Sequence, residues 1–173
     1  MYLALNAVDI ELFVAGKLSV FAVPASEEYH VGDVLQIKEP FKKISCCIND
    51  CEDPVRGVLY KIDGKIIWEN GMEPADGIEI EEAQQWSSSK LLPDYAVRCS
   101  ATVSGVTEKP LSTFSDEDIK EFGLYYNEPQ MLIDGFLPIK NYERIYQWWK
   151  KRYRKTLDDG TDPMVSILRL TST

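Results

Sequence analysis

The chain has 173 residues, 45% of them apolar and 27% charged, with a formal net charge of −9. That length supports one sizeable core and is short for two ordinary domains, so a single domain over 1–173 is expected. The composition excludes long disorder, and the acidic balance excludes indiscriminate nucleic-acid binding, which needs a broad surplus of Lys and Arg. The first residues lack a basic start and reach Asp9 before a leader core can form. No apolar run approaches the roughly 18 residues of a membrane span, so a cytoplasmic chain with no membrane partner is expected.

Residues 7 to 15 carry Ile10, Phe13 and Val14 at helical spacing, with Gly16 positioned to end a short helix. Leu18 to Pro24 reads as a strand closed by proline, and Val31 to Ile37 as a Gly-Asp turn feeding a second strand. Gly57 to Trp68 reads as a hairpin, because Asp63-Gly64 supplies the positive φ angles of a tight turn. Residues 69–85 are acidic, contain Gly71, Pro74 and Gly77, and keep no period, which predicts a surface loop.

From Tyr95 to Ser104 the pattern alternates: Tyr95, Val97, Cys99, Ala101 and Val103 on one face, Ala96, Arg98, Ser100, Thr102 and Ser104 on the other. This predicts a half-buried strand with Arg98 on the polar face. Ser115 is a good N-cap for a short helix that Gly123 ends, and Asp116, Glu117 and Asp118 complement the helix dipole there. Asn141 caps a last helix in which Tyr142, Ile145, Tyr146, Trp149 and Tyr153 form an apolar stripe. Met164 to Leu170 reads as a terminal strand.

The charge is unevenly distributed. Lys140, Arg144, Lys150, Lys151, Arg152, Arg154 and Lys155 face one acid, Glu143, within the segment 140–155. The side of the last helix opposite the stripe carries Arg144, Trp148, Lys151 and Lys155, an aromatic ring among cations. Such a surface suits phosphate contact and base stacking, although cations near a helix C-terminus are also favoured by the dipole alone.

Catalytic and metal signatures are sparse. The four cysteines are Cys46, Cys47, Cys51 and Cys99, and the one histidine is His30. Adjacent cysteines do not readily share one tetrahedral metal, so Cys47, Cys51 and a distant partner are the ligands to weigh against plain reduced thiols. The expectation is no metal and no cofactor. No phosphate-binding glycine loop, nucleophile elbow or zinc-protease motif occurs.

The run from Trp86 through Pro93 and the strand to Val106, followed by Pro110-Leu-Ser-Thr-Phe-Ser-Asp-Glu-Asp and Gly123-Leu124, resembles the ASCH domains of the PUA-like superfamily, in their phage and prophage versions. Tyr60-x-x-Asp63-Gly64 and the Val31-Gly32-Asp33 turn are similar to the same family. The resemblance implies an α+β fold: a PUA-like small mixed or antiparallel β-barrel with helices packed around it and a cleft on one side. It implies a non-enzymatic module for RNA or a modified nucleotide, with Lys17, Trp86 and Arg98 near the cleft and Arg144, Trp148 and Lys151 as a basic approach. A host protein engaged through acidic surfaces is the alternative partner.

Some small ASCH proteins are amidohydrolases of N4-acylated cytidine, using a lysine, a threonine and a glutamate. Aligning on Gly16 puts Leu18 and Phe21 at the first two positions, and aligning on Gly123 puts Phe122 at the third. Leu and Phe offer neither proton transfer nor a nucleophile. A slip of one residue offers Lys17 and Glu121 but puts Val20 at the threonine position, with Ser19 next to it, and because neighbouring strand residues face opposite ways such a slip loses the geometry.

Overall fold

The computed structural model describes residues 1–25, 28–47, 54–71, 73–75, 78–122, 141–153 and 162–172. The chain is mixed α+β, with most of its regular structure in the strands of two sheets and few helices. Its residues group into two compact units, Met1–Glu11 with Leu35–Ser100, and Leu12–Val34 with Ala101–Thr173. Among the described residues no helix is long and apolar enough to cross a membrane.

Helix α1 (Ala7–Val14) begins where the Asn6 side chain accepts the Asp9 N–H at 2.8 Å, a cap that satisfies one of the first unpaired helical donors. It ends at Gly16, whose φ of 68° is the left-handed conformation that glycine enters without steric cost. Ile10 and Phe13 are buried as the spacing predicts, but Val14 is 71% exposed, so the stripe is narrower than expected.

In the first unit, β1 (Tyr2–Ala4) runs parallel to β3 (Val34–Lys38). A four-stranded sheet has the order β6 (Ile66–Trp68), β5 (Val55–Tyr60), β4 (Phe41–Cys46), β7 (Ile80–Glu82), with antiparallel neighbours. The hairpin of β5 and β6 turns through Asp63 and Gly64, which has a φ of 66°. The expected loop over 69–85 is corrected by β7, an exposed strand whose Glu81 pairs with Ser45. One face of the sheet packs Ile44, Cys46 and Trp68, and the other Phe41, Val58 and Tyr60 with Leu92 and Ala96.

In the second unit, β9 (Met164–Ser172) pairs antiparallel with both β2 (Val20–Pro24) and β8 (Cys99–Pro110). Helix α2 (Asp116–Glu121) is capped reciprocally, since Ser115 Oγ accepts the Asp118 N–H and Asp118 Oδ2 accepts the Ser115 N–H. Helix α3 (Asn141–Arg152) sends Ile145 and Trp149 into a core with Leu111, Phe114, Phe122, Val165 and Ile167. Tyr153 closes the stripe by donating its hydroxyl to the Ala22 carbonyl at 2.9 Å.

Two expectations change here. The strand predicted from Tyr95 starts at Cys99, because Asp94–Ala96 form a 3-10 turn. A 3-10 turn has a period of three rather than two, so Ala96 turns inward to full burial and Tyr95 outward to 40% exposure, the reverse of the alternation. Trp148 is half-buried and packs against the α3 core beside Trp149, with ring centroids 5.9 Å apart, rather than standing on an open face.

Gly57 sits where β5 meets β6, and a Cβ there would lie 2.8 Å from the Trp68 ring and 2.9 Å from the Ile67 carbonyl. Gly57→Ala is expected to destabilise the protein by about 1–3 kcal/mol through overpacking, read as a lower urea midpoint.

Candidate functional site

Alternation along β4 and β5 puts Phe41, Lys43 and Ser45 on one face opposite Tyr60, Val58 and Arg56. At the Phe41–Tyr60 end this face is closed core. Toward Ser45 and Arg56 it opens into a groove of about 700 Å³, lined also by Glu69 and by Glu81 of β7. Pro93 and Tyr95 form part of its wall. Among the described residues, the Lys43 and Arg56 side chains have no hydrogen-bond or ion-pair partner.

The wall segment from Leu92 to Arg98 has little regular structure and is fixed by side chains. The buried Lys38 ammonium donates to the Leu92 carbonyl at 2.8 Å and to Asp94 Oδ1 at 3.0 Å. The Tyr60 hydroxyl donates to the Ala96 carbonyl. Arg98 grips both oxygens of Glu39 through Nε and Nη2, each at 2.7 Å, and reaches Asp63 Oδ2 through Nη1 at 2.7 Å. Its guanidinium lies 3.9 Å from the Tyr60 ring centroid, a stacked cation–π contact.

Electrostatics follow from this packing. Burial and the Glu39 charge push the Tyr60 phenol up to about 12, against the opposing effect of Arg98. Burial alone would raise the Asp63 carboxyl, but hydrogen bonds from Arg98 and the Lys65 N–H outweigh it and hold the group below its ordinary range. The hydrogen bond to Glu39 raises Arg98 further above its ordinary value. Burial and Glu39 raise the Cys99 thiol, leaving it protonated and a poor nucleophile near neutral pH.

Of the residues singled out from sequence, Trp86 and Arg98 lie in the first unit. Arg98 precedes β8 rather than lying within a strand; its guanidinium stacks on Tyr60 and its donors are engaged with Glu39 and Asp63 rather than free for a ligand. Trp86 is 41% exposed, with the Lys42 and Lys61 ammoniums 5.1 and 5.6 Å from its ring centroid. Ser87 beside it bridges to Phe41, which fixes the ring at the margin of the sheet. Lys17 is an exposed residue of the second unit. Arg144 and Lys151 belong to α3, and their side chains lie outside the described residues, as do Gly123, Lys155 and Cys51.

No protein-family model, curated protein or solved structure matches the chain.

Leu18, Phe21 and Phe122 are all buried. Phe21 packs edge-on against Phe13 at 5.9 Å and Phe122 against Phe114 at 5.2 Å, so these side chains serve the core. Glu121, the slipped alternative, is held by Arg169 at 3.0 Å. Cys46 is buried in the sheet and Cys47, just past the end of β4, is exposed. Among the described residues no group of three His, Cys, Asp or Glu side chains could hold a metal ion.

The groove residues Lys43, Arg56 and Glu81, and the lysines around Trp86, were not singled out from sequence. Lys42-Lys43 breaks the apolar alternation of β4, and Glu81 lies in a stretch read as loop. The signal present was Phe41-x-x-Ile44-x-Cys46, whose apolar residues divide between two faces that are both covered.

Replacing Arg98 by Ala leaves the Glu39 carboxylate, 1% exposed, without its partner. A loss of about 3–5 kcal/mol is expected in chemical unfolding, with partial recovery in the Arg98→Ala, Glu39→Gln double variant. The pH profile carries two further signatures. Tyr60 ionises at 10.0 in the unfolded chain and about 12 when folded, so its contribution is intact below pH 10 and lost between pH 10 and 12. Asp63 is depressed on folding, so its contribution is present above its ordinary 3.8 and lost as pH falls below it. Urea midpoints of Tyr60→Phe and Asp63→Asn should show a smaller alkaline and a smaller acid decline respectively, since Tyr95 and Cys99 are also raised and Asp118 also lowered.

Proposed function

We propose that the chain is a non-enzymatic binding module of the ASCH/PUA-like type, acting in the cytoplasm on RNA or a modified nucleotide and encoded by a phage or prophage. In this reading its strands are those of a small PUA-like barrel. The observation that carries the proposal is Trp86, an exposed indole with two lysine ammoniums over its ring. Stacking on such a ring is tolerant of base identity; Lys61, and Lys42 on exchanging its 3.1 Å pair with Glu82, meet the phosphates on either side of the stacked base. The overall charge of −9 confines attraction to such local surfaces. The buried apolar side chains of Leu18, Phe21 and Phe122 favour binding over hydrolysis.

Fluorescence titration with labelled single-stranded RNA at two salt concentrations tests this. Trp86→Ala should weaken binding by about 5- to 150-fold, the worth of one stacked base. A Lys42→Glu, Lys61→Glu variant should bind less tightly and with a shallower salt dependence. Absence of binding at low salt, or an unchanged affinity in both variants, rejects the proposal.

The protein-interaction alternative is favoured by one feature, the exposed acidic strand β7 at the edge of its sheet. On that reading a host protein would bind equally well to the Trp86→Ala variant and poorly to Glu81→Lys, measured by pull-down from host lysate.

A further inference from the structure

We infer that the groove over β4, β5 and β7 is a second binding site, for a ligand that joins a phosphate to a planar ring bearing an amino group: a nucleoside monophosphate, free or at the end of a strand. It is separate from the Trp86 surface, since Trp86 does not line it. Its volume, about 700 Å³, falls within the roughly 300–1,000 Å³ of small-molecule sites.

The groove is divided chemically. Arg56 stands directly across from Ser45, and Lys43 lies two residues along the same face of β4. Such diagonal neighbours lie about 7–8 Å apart, near enough for both long side chains to close on one phosphate. Arg56 supplies a planar fork that suits two phosphate oxygens, and Lys43 a mobile point charge. Both lack a partner among the described residues, so an anion displaces no existing ion pair.

Glu69 and Glu81 also line the groove. Ionised carboxylates only accept hydrogen bonds, so they select a ligand with N–H donors. Tyr95 offers a half-open aromatic ring for stacking. Its backbone is already held through Lys38, Tyr60 and Arg98, so binding need not order this wall. The same acids repel a continuing polyanion. One phosphate is matched and the next is opposed, which restricts the site to a monomer or a terminal nucleotide.

Calorimetric titration of the full chain with adenosine and cytidine monophosphates, the parent nucleosides and inorganic phosphate tests the assignment. The monophosphates should bind at least about tenfold more tightly than either the nucleosides or phosphate, because both halves of the groove are then used. Arg56→Glu and Tyr95→Ala should each weaken them by about 10- to 100-fold, with melting curves checking that both variants fold. Trp86→Ala should leave this binding intact, which separates it from the RNA surface. Equal affinity with and without the phosphate, or indifference to Arg56→Glu in a folded protein, overturns it. A short oligonucleotide with a terminal phosphate then distinguishes sources: affinity equal to the monophosphate identifies a strand end, and much weaker affinity a free nucleotide.

Discussion

The Glu39 carboxylate is the constraint around which the first unit is arranged. A charged carboxylate with 1% exposure is tenable only with a well-matched partner, and Arg98 meets both oxygens in the planar geometry that guanidinium and carboxylate share. Satisfying that pair brings Arg98 over the Tyr60 ring and within reach of Asp63. Asp63 in turn accepts the Lys65 N–H at 3.1 Å, so the hairpin turn and the irregular segment before β8 are fixed by one set of charges. Such pairs add little net stability, because desolvation offsets their attraction, but they admit few alternative geometries.

The wall of the groove depends on the same logic. Residues 92–98 make one 3-10 turn, Asp94–Ala96, and no ladder hydrogen bonds, so little in their backbone alone would keep Tyr95 in place. Lys38 and Tyr60 bond to that segment from strands of its own unit, and Arg98 at its end grips Glu39. A loop held in this way combines an exposed aromatic ring with a rigid backbone, as binding surfaces on scaffolds often do.

The second unit is organised differently, around aromatic packing. Trp149, Phe114 and Phe122 gather over β9 and β2 with Ile145 and Leu111, and Tyr153 adds its ring 4.5 Å from Trp149. Leu18, Phe21 and Phe122 are buried there. Lys43 on β4, Arg56 on β5 and Lys61 just after it show how an acidic chain can still present local positive charge, while Lys42 is paired with Glu82.

Much of the element order was legible in the sequence, because local rules decide it. Gly16 and Gly64 need positive φ, Asp63-Gly64 makes the turn, Ser115 caps a helix, and the Ile145–Trp149 stripe follows helical periodicity. The sequence also determined that Leu18, Phe21 and Phe122 bring no acid, base or nucleophile. Tertiary structure decided the rest. Arg98 was visible as a polar-face cation, but its partners Glu39 and Asp63 lie 59 and 35 residues away in the chain. The groove needs three strands in one register to bring Lys43, Arg56 and Glu81 together, and Tyr95 faces outward because a 3-10 turn replaced the expected strand. Periodicity reports which side of an element is apolar, whereas which charges meet depends on strand pairing over long separations, which a local pattern does not contain.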